Sequence, residues 1–530
     1  LRAAIEAKRV AERVVLVSKG EAGRSGSTMQ AGCSMIATLP TDPPEAFEAH
    51  FKDTLAVGKF LNDEALVEEL IAHAGQEILK LEGFGVKLHT KKGGFLLGRG
   101  EEALLPSAIE PDYWGYPFAQ RGLSLTLPLS AEARRSGVKV VDGVAVVKLA
   151  LHDGEICGAF GVELDIGQVL FFPAKVVILA SGGGGWLYTQ TSNRSDLTGD
   201  SYALALEAGA TLRDMEFVEF NPCRLLHPRT METNLPPDLF SYGGVLRNAD
   251  GDRFILKYNP KGEEASFREE MPYLLLREVE EGRGIEGGVY LDATAIPMTV
   301  WEERYPFLFQ ALLEHGVDPR KDSMIVGVRA NLFAGGVKVG TRGRTEIPGL
   351  YAAGEAVGGL HGAKRFGGNA VAHAVVSGAL VGQEAALYAK RKGQVPDAPS
   401  APPKFLKRSG SLSLADVEER LRLTMWERVG LIRSEGSLLR AKEEIGSCRA
   451  ALKECAIDSR SDWFRHLTLH SMGLVAETVA LSALERKESR GPHFREDHPA
   501  PDRAWLGSVE ARKTGPDLEL TFKPKEKKRT

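Results

Sequence analysis

The sequence predicts an α/β protein: a Rossmann-like nucleotide-binding domain, interrupted by an inserted α+β capping domain and followed by a C-terminal helical domain. Three observations carry this. Short β-branched runs, "RVVLVSK" and "KVVILA", lead into glycine-rich turns in the first part of the chain. The same strand-and-glycine pattern returns at "GLYAAGEAVGG", after a stretch rich in proline and charge from about Phe217 to Ser323. Beyond a proline-rich linker, "GQVPDAPSAPPK", the pattern is amphipathic and helical, as in a small bundle.

The elements follow in order. Leu1, Ala4, Ile5, Ala7 and Ala11 recur at helical spacing before the strand "RVVLVSK". A helix entering such a strand is the back half of a βαβ unit, so a strand and a glycine turn are expected upstream of Leu1. Residues 1–216 read as the first part of the nucleotide-binding domain and 217–328 as the cap. Residues 329–392 read as the second part, 393–404 as the linker, 405–510 as the helical domain and 511–530 as a tail.

Composition is that of a globular chain, with 43% apolar and 26% charged residues. The net charge of −4 gives no bulk attraction to nucleic acid or to an anionic membrane. No apolar run reaches the roughly 18 residues of a membrane span. Cys33, Cys157, Cys223, Cys448 and Cys455 are scattered, with no C-x-x-C. That argues against a disulfide framework, a metal site or a resident iron–sulfur cluster, and fits a reducing, cytoplasmic compartment.

Three segments run from a buried strand into small residues: "VVLVSKGEAGRSGSTMQAGC", "VVILASGGGGWLY" and "GLYAAGEAVGG". Glycine there lets a bulky ligand approach the main chain, and a helix beginning after it favours a phosphate. Three such segments across one chain point to a large nucleotide cofactor.

Three longer motifs then carry a resemblance. "ASGGGGWLYTQTSNRSDLTGDSYALALEAGATLRDMEFVEF", "IPGLYAAGEAVGGLHGAKRFGGNAVAHAVVSGALVG" and "LERKESRGPHFREDHP" occur in the order seen in the succinate dehydrogenase and fumarate reductase flavoprotein subunits, and in L-aspartate oxidase. The chain resembles that family over nearly its whole length. The resemblance implies an FAD-binding domain whose pyrophosphate loop precedes Leu1. Ser18 and Lys19 would then lie near the adenosine ribose and Ala145 on the adenine. Ser25, Thr28 and Gly32 would line the flavin, with Ala180, Gly182 and Gly183 in the second glycine segment. Asp200 is expected near the flavin's polar side and Glu355 on the ribityl chain. Asn369, Ala370 and Val371 would open a helix whose N–H groups face the flavin carbonyl. Gly26 stands where the respiratory enzymes carry the histidine that tethers FAD, so a non-covalent flavin is expected.

By the same resemblance the reaction is hydride transfer between flavin N5 and a small carboxylated substrate, with a proton moved at the neighbouring carbon. Arg268 takes the place of the proton-transferring arginine, with Glu269 beside it. Arg365 takes the place of the substrate-binding arginine. The other substrate positions depart from the family: Asn221 and Asn331 replace two histidines and Cys223 a threonine. The Glu–Arg proton relay is met by Pro237 and Phe240, with Asp238 the nearby acid. Arg224, His227 and Arg229 are candidate substitutes, or loop residues facing water. Neutral donors beside Arg365 imply a substrate with one carboxylate and poor activity on fumarate or succinate. Electrons would pass to an iron–sulfur protein subunit or to a soluble acceptor, with the membrane reached only through partners at its inner face. The alternative is a flavoprotein that has lost dicarboxylate chemistry and serves an electron-transfer or structural role in a larger complex. The lack of a second G-x-G-x-x-G opposes a nicotinamide-dependent dehydrogenase.

Overall fold

The computed structural model describes residues 1–91, 107–113, 115–231, 233–263, 270–394, 402–405 and 407–525. Helix Arg2–Lys8 buries Ile5 and Ala7 and packs along the long helix Asn369–Arg391. Glycine permits the approach. A Cβ at Gly382 would stand 2.3 Å from the Ala3 carbonyl oxygen, and one at Gly378 would stand 2.9 Å from Arg2 Cβ.

The first predicted strand is Val15–Val17, parallel to Lys139–Val141. The second, Val177–Leu179, is parallel to Leu350–Ala352. Strand carboxyl ends are where α/β sheets bind ligands. At these ends lie Ser18–Lys19, Gly143–Ala145, Ala180–Gly183 and Gly354–Glu355.

The cap is an antiparallel sheet in the spatial order Val218–His227, Met324–Phe333, Val289–Asp292, Val245–Arg247. Its two ten-residue strands carry the chain into and out of the cap. The expected boundary at 328/329 is thereby corrected, because it falls inside the continuous strand Met324–Phe333. Helix Met271–Glu280 packs on both long strands through an apolar face that includes Met271, Leu274 and Leu275.

Beyond the linker, helices Leu414–Arg428, Glu435–Ala451 and Arg460–Glu485 form the expected helical unit. Serine caps start each of them: Ser413, Ser434 and Ser459 accept backbone N–H bonds in the first turn. The expected tail is corrected over 511–524. Gly507–Thr514 and Asp517–Pro524 form a hairpin about Gly515, and its first strand pairs with Leu212–Arg213. The alternation in "LELTF" is the strand signal that the dense charge of the segment obscured.

Helices Asn369–Arg391 and Arg460–Glu485 are long and apolar enough to cross a membrane, by length and composition. Both are mostly buried within the fold. The expectation rested on uninterrupted apolar runs, which polar and charged residues break in both helices. All five cysteines are free and buried.

A charge network joins the helical unit to the nucleotide-binding domain. Arg486 is fully buried and donates to Glu216 Oε1 at 2.6 Å, Glu488 Oε1 at 3.0 Å and the carbonyls of Trp505 and Gly507. Asp214 lies 3.7 Å away. Burial pushes Glu216 up to about 7, with Arg486 opposing that shift.

Candidate active site

One end of the site gathers residues expected around adenosine. Lys19 Nζ is 2.6 Å from Asp200 Oδ2 and donates to Thr198 Oγ1 at 2.8 Å. Thr198 in turn donates to Asp200 Oδ1. A cavity here is lined by Lys19, Ala145 and Asp200, and by Phe464 and Leu467 of the helical unit. Asp200 opens helix Asp200–Glu207 behind Gly199, which has φ +81°. The Lys19 ammonium holds Asp200 beside Ala145. Ser18 ties the two strand ends together, donating to Val141 and accepting from Val144.

The middle of the site is built from glycine. Gly182 has φ +80°. A Cβ at Gly183 would stand 2.3 Å from Glu355 Oε1. Glu355 accepts the Phe333 N–H at 3.1 Å, and burial pushes its carboxyl up to about 7. Ala180 is exposed at the strand end beside them. Ser25 bonds back to the Glu21 carbonyl, and Thr28 opens the short turn Thr28–Gln30. Gly32 packs 3.4 Å, at its would-be Cβ, from the guanidinium of Arg121. Gly26 has φ +79°, donates its N–H to Asp196 Oδ2 at 2.9 Å and has open space where a side chain would be.

Helix Asn369–Arg391 begins behind Gly368, at φ +84°, with no side-chain cap. The Asn369 side chain is engaged elsewhere, with His50 at 2.9 Å and Thr54 at 3.1 Å. The first-turn amides, those of Ala370 and Val371 among them, therefore carry the helix's positive end without a capping side chain. A dinucleotide flavin fits this donor set. The Lys19–Asp200 pair would face its ribose end, the Gly182–Gly183 loop would admit it close to the main chain, and the buried Glu355 carboxyl and the uncapped helix start would face its hydroxyls and ring.

The residues expected at the substrate adjoin it through the strand Met324–Phe333. Arg365 donates its backbone N–H to Glu219 Oε1 at 2.5 Å and its Nε to Glu219 Oε2 at 3.3 Å; Nη2 is also 3.3 Å from Oε2. Asn221 Oδ1 accepts the Cys223 N–H at 2.8 Å in a local turn. Asn331 Oδ1 accepts from Ser192 Oγ at 2.9 Å, and Asn193 Nδ2 donates to the Asn331 carbonyl at 2.7 Å. Cys223 is buried, and burial pushes its thiol above the ordinary range, so it is no nucleophile.

The candidate substitutes separate. Arg224 is buried on a strand. His227 and Arg229 are exposed, and Arg229 lies 3.5 Å from Glu286. Asp238 is held by Arg304 at 2.8 Å within the cap, and Phe240 is core. Arg268 and Glu269 lie outside the described residues, and nothing in the geometry above bears on them.

Two further guanidiniums lie on the same strand pair as Asn221. Strand register sets Arg329 opposite Asn221 and Arg224 opposite Gly327. Sequence reading missed Glu219, Arg329 and Arg121, and the buried imidazoles His361 and His373, whose ring centroids lie 5.8 Å apart. Period-two counting back from Asn221 and Asn331 would have found the first two.

Comparison with known proteins gives the family. Residues 1–371 match the FAD binding domain model, and residues 418–529 match the fumarate reductase flavoprotein C-terminal model. An uncharacterized FAD-dependent oxidoreductase of Methanocaldococcus jannaschii is 35% identical, over 96% of this chain and 93% of its own. A fumarate reductase (CoM/CoB) polypeptide of Methanothermobacter marburgensis is also 35% identical, over 96% of this chain and 94% of its own. The flavoprotein of E. coli quinol fumarate reductase superposes with a TM-score of 0.85 at 26% identity, over 99% of this chain and 94% of that one. This chain is an FAD-dependent oxidoreductase and belongs to the family of the fumarate reductase and succinate dehydrogenase flavoprotein subunits.

Proposed function

We propose that this enzyme adds or removes two hydrogens across a carbon–carbon bond of a small carboxylated substrate held by Arg365. The observation that carries this is the placement of Arg365. Its guanidinium meets Glu219 through Nε and one edge of Nη2. A guanidinium has five N–H groups in a fixed fork. The remaining edge can grip a substrate carboxylate through two parallel bonds while Glu219 fixes the plane. Glu219 is paired with Leu332, one residue from the Phe333 amide that bonds Glu355. The carboxylate grip and the cofactor loop thus meet at one strand pair.

Bound FAD supplies the hydride and electron chemistry. The chain's own residues bind and orient the acid and exclude water between cap and nucleotide-binding domain. Arg268, with Glu269 beside it, is proposed to move the proton at the substrate carbon next to the one that exchanges hydride; this role rests on the family motif. Electrons are exchanged with an iron–sulfur protein or a soluble acceptor, in the cytoplasm or at the inner face of its membrane through partners. A purely structural or electron-transfer role would have no use for the Arg365–Glu219 pair at the cofactor's edge.

The flavin is proposed to be non-covalent, because Gly26 has no side chain with which to form a tether. Acid precipitation of the holoprotein should leave yellow flavin in the supernatant; colour retained in the washed pellet would contradict it. The function itself is tested by mixing reduced holoprotein with unsaturated carboxylic acids under anaerobic conditions and following flavin reoxidation.

A further inference from the structure

Helix Glu45–Val57 buries one narrow face made of Ala46, His50 and Thr54, each one turn beyond the last. Two of these are polar, and His50 is 0% and Thr54 1% exposed. A buried polar group is costly unless it is bonded, so both need partners. Both find the same one. His50 Nε2 lies 2.9 Å from Asn369 Oδ1, and Asn369 Nδ2 donates to Thr54 Oγ1 at 3.1 Å. Burial brings His50 down to about 4, with the Asn369 bond opposing that shift. The imidazole is therefore neutral and carries one N–H, which donates from Nε2 to the Asn369 oxygen. His50 Nδ1 is left buried without a partner among the described residues. A contact serving stability alone would be met as well by apolar groups of the same shape.

Asn369 needs this anchor because the residue before it offers none. Gly368 opens the long helix in the left-handed region, at φ +84°, and has no side chain to cap it. Its main chain runs against Ile36, where a Cβ on Gly368 would stand 2.4 Å from Ile36 Cγ1. The Asn369 N–H donates to the Phe366 carbonyl at 3.1 Å and closes a turn. The His50 ring also packs against the Phe366 ring, with centroids 5.7 Å apart. Arg365 immediately precedes Phe366, and Ala370 and Val371 immediately follow Asn369. One imidazole thus touches both ends of the turn that joins Arg365 to the uncapped helix start.

Resting on the function proposed above, we infer that His50 is a positioning residue for hydride transfer: it holds the turn that sets the flavin-facing helix start relative to Arg365. It acts through Asn369 and Phe366. The positive end of a helix favours charge on the reduced ring only while its amides keep their aim. Without the His50 N–H, Asn369 Oδ1 is left with no donor inside the fold. The side chain then turns toward another donor and carries the first turn of the helix with it.

The test uses the FAD-loaded full chain and reads the flavin reduction potential by equilibration with a dye of known potential. His50→Leu removes the donor and keeps the space filled. The potential should fall by about 30 mV, which for a two-electron couple is a tenfold loss of preference for the reduced flavin. Thr54→Val removes the other partner of Asn369 with little change of shape, and should shift the potential the same way. His50→Gln has an amide that donates from nearly the same place, and should restore most of the loss. A purely structural contact would lower the melting temperature and leave the potential of the loaded protein alone. An unchanged potential in His50→Leu, or equal shifts in His50→Leu and His50→Gln, overturns the inference. Where His50→Leu retains no FAD, Thr54→Val decides, and an unchanged potential there overturns it. The potential is measured without substrate, so the two readings fail separately. If it shifts as expected while no unsaturated carboxylic acid reoxidises the wild type, the positioning of the helix start stands and the proposed function falls. If acids reoxidise the wild type and the potential does not move in the variants, the proposed function stands and this inference falls.

Discussion

Arg365→Ala is expected to lower kcat/KM by about two to four orders of magnitude while leaving FAD content unchanged. The side chain is largely shielded from water, and on the proposed reading its free edge makes two bonds to a substrate carboxylate. Each charge-assisted bond contributes about 1.5–3 kcal/mol, so losing both costs roughly 3–6 kcal/mol in the transition state. The variant has a second defect. Glu219 then loses its counter-ion beside the place where the substrate's own carboxylate must sit, and like charges repel there. Arg365 makes no contact with the Lys19–Asp200 end of the site, so flavin binding should persist. Flavin-to-protein ratio and steady-state kinetics on one preparation check both halves. Turnover within threefold of wild type would show that the substrate is held elsewhere.

Arg486→Met is expected to cost about 3–5 kcal/mol of stability, because it strands buried carboxylates rather than removing a balanced pair. Arg486, Glu216, Glu488 and Asp214 are all 0% exposed at their side chains. The carbonyls of Trp505 and Gly507 lose their donor as well. An exposed pair gives the contrast. Arg465 meets Glu418 with its side chain 45% exposed, and Arg465→Met should cost less than about 1 kcal/mol. The Arg486 deficit should also grow with pH. Native Glu216 already holds its proton up to about 7, against about 4.3 for an unfolded glutamate. Without Arg486 the native pKa rises further. From about pH 4.5 to 7 both proteins hold that proton in the native state and lose stability alike; above about 7 only the wild type releases it, so the deficit widens there. Thermal unfolding of the two variants at pH 5.5 and pH 8 measures both effects. Equal melting shifts for Arg486→Met and Arg465→Met would contradict the network's role.

Much of the nucleotide-binding half is legible in the sequence for a physical reason. A buried strand ending in glycine leaves a local mark, and "KVVILASGGGG" folds as Val177–Leu179 followed by a glycine loop at Gly182–Gly183. The same holds for the helix after "HGAKRFGGNA", which starts at Asn369 behind a left-handed glycine. What the sequence hides is pairing at a distance. Glu219 meets Arg365 across 146 positions, and Arg329 faces Asn221 because of register between two strands far apart in the chain. The place of Asp200 is hidden for a similar reason, since its partner Lys19 lies on another element. The C-terminal hairpin is hard to read because its charge dominates its alternation. Arg268 and Glu269 are assigned by motif alone.

The most direct measurement of the central claim is anaerobic stopped-flow reoxidation of the reduced holoprotein. Fumarate and crotonate are mixed in turn with wild type and with Arg365→Ala, and the return of oxidised flavin absorbance is followed. Substrate-dependent, saturable reoxidation is expected in the wild type, and lost by at least about a hundredfold in Arg365→Ala. No reoxidation by either acid, or the same rate with and without Arg365, would contradict the claim that this strand pair holds a carboxylated substrate against the cofactor.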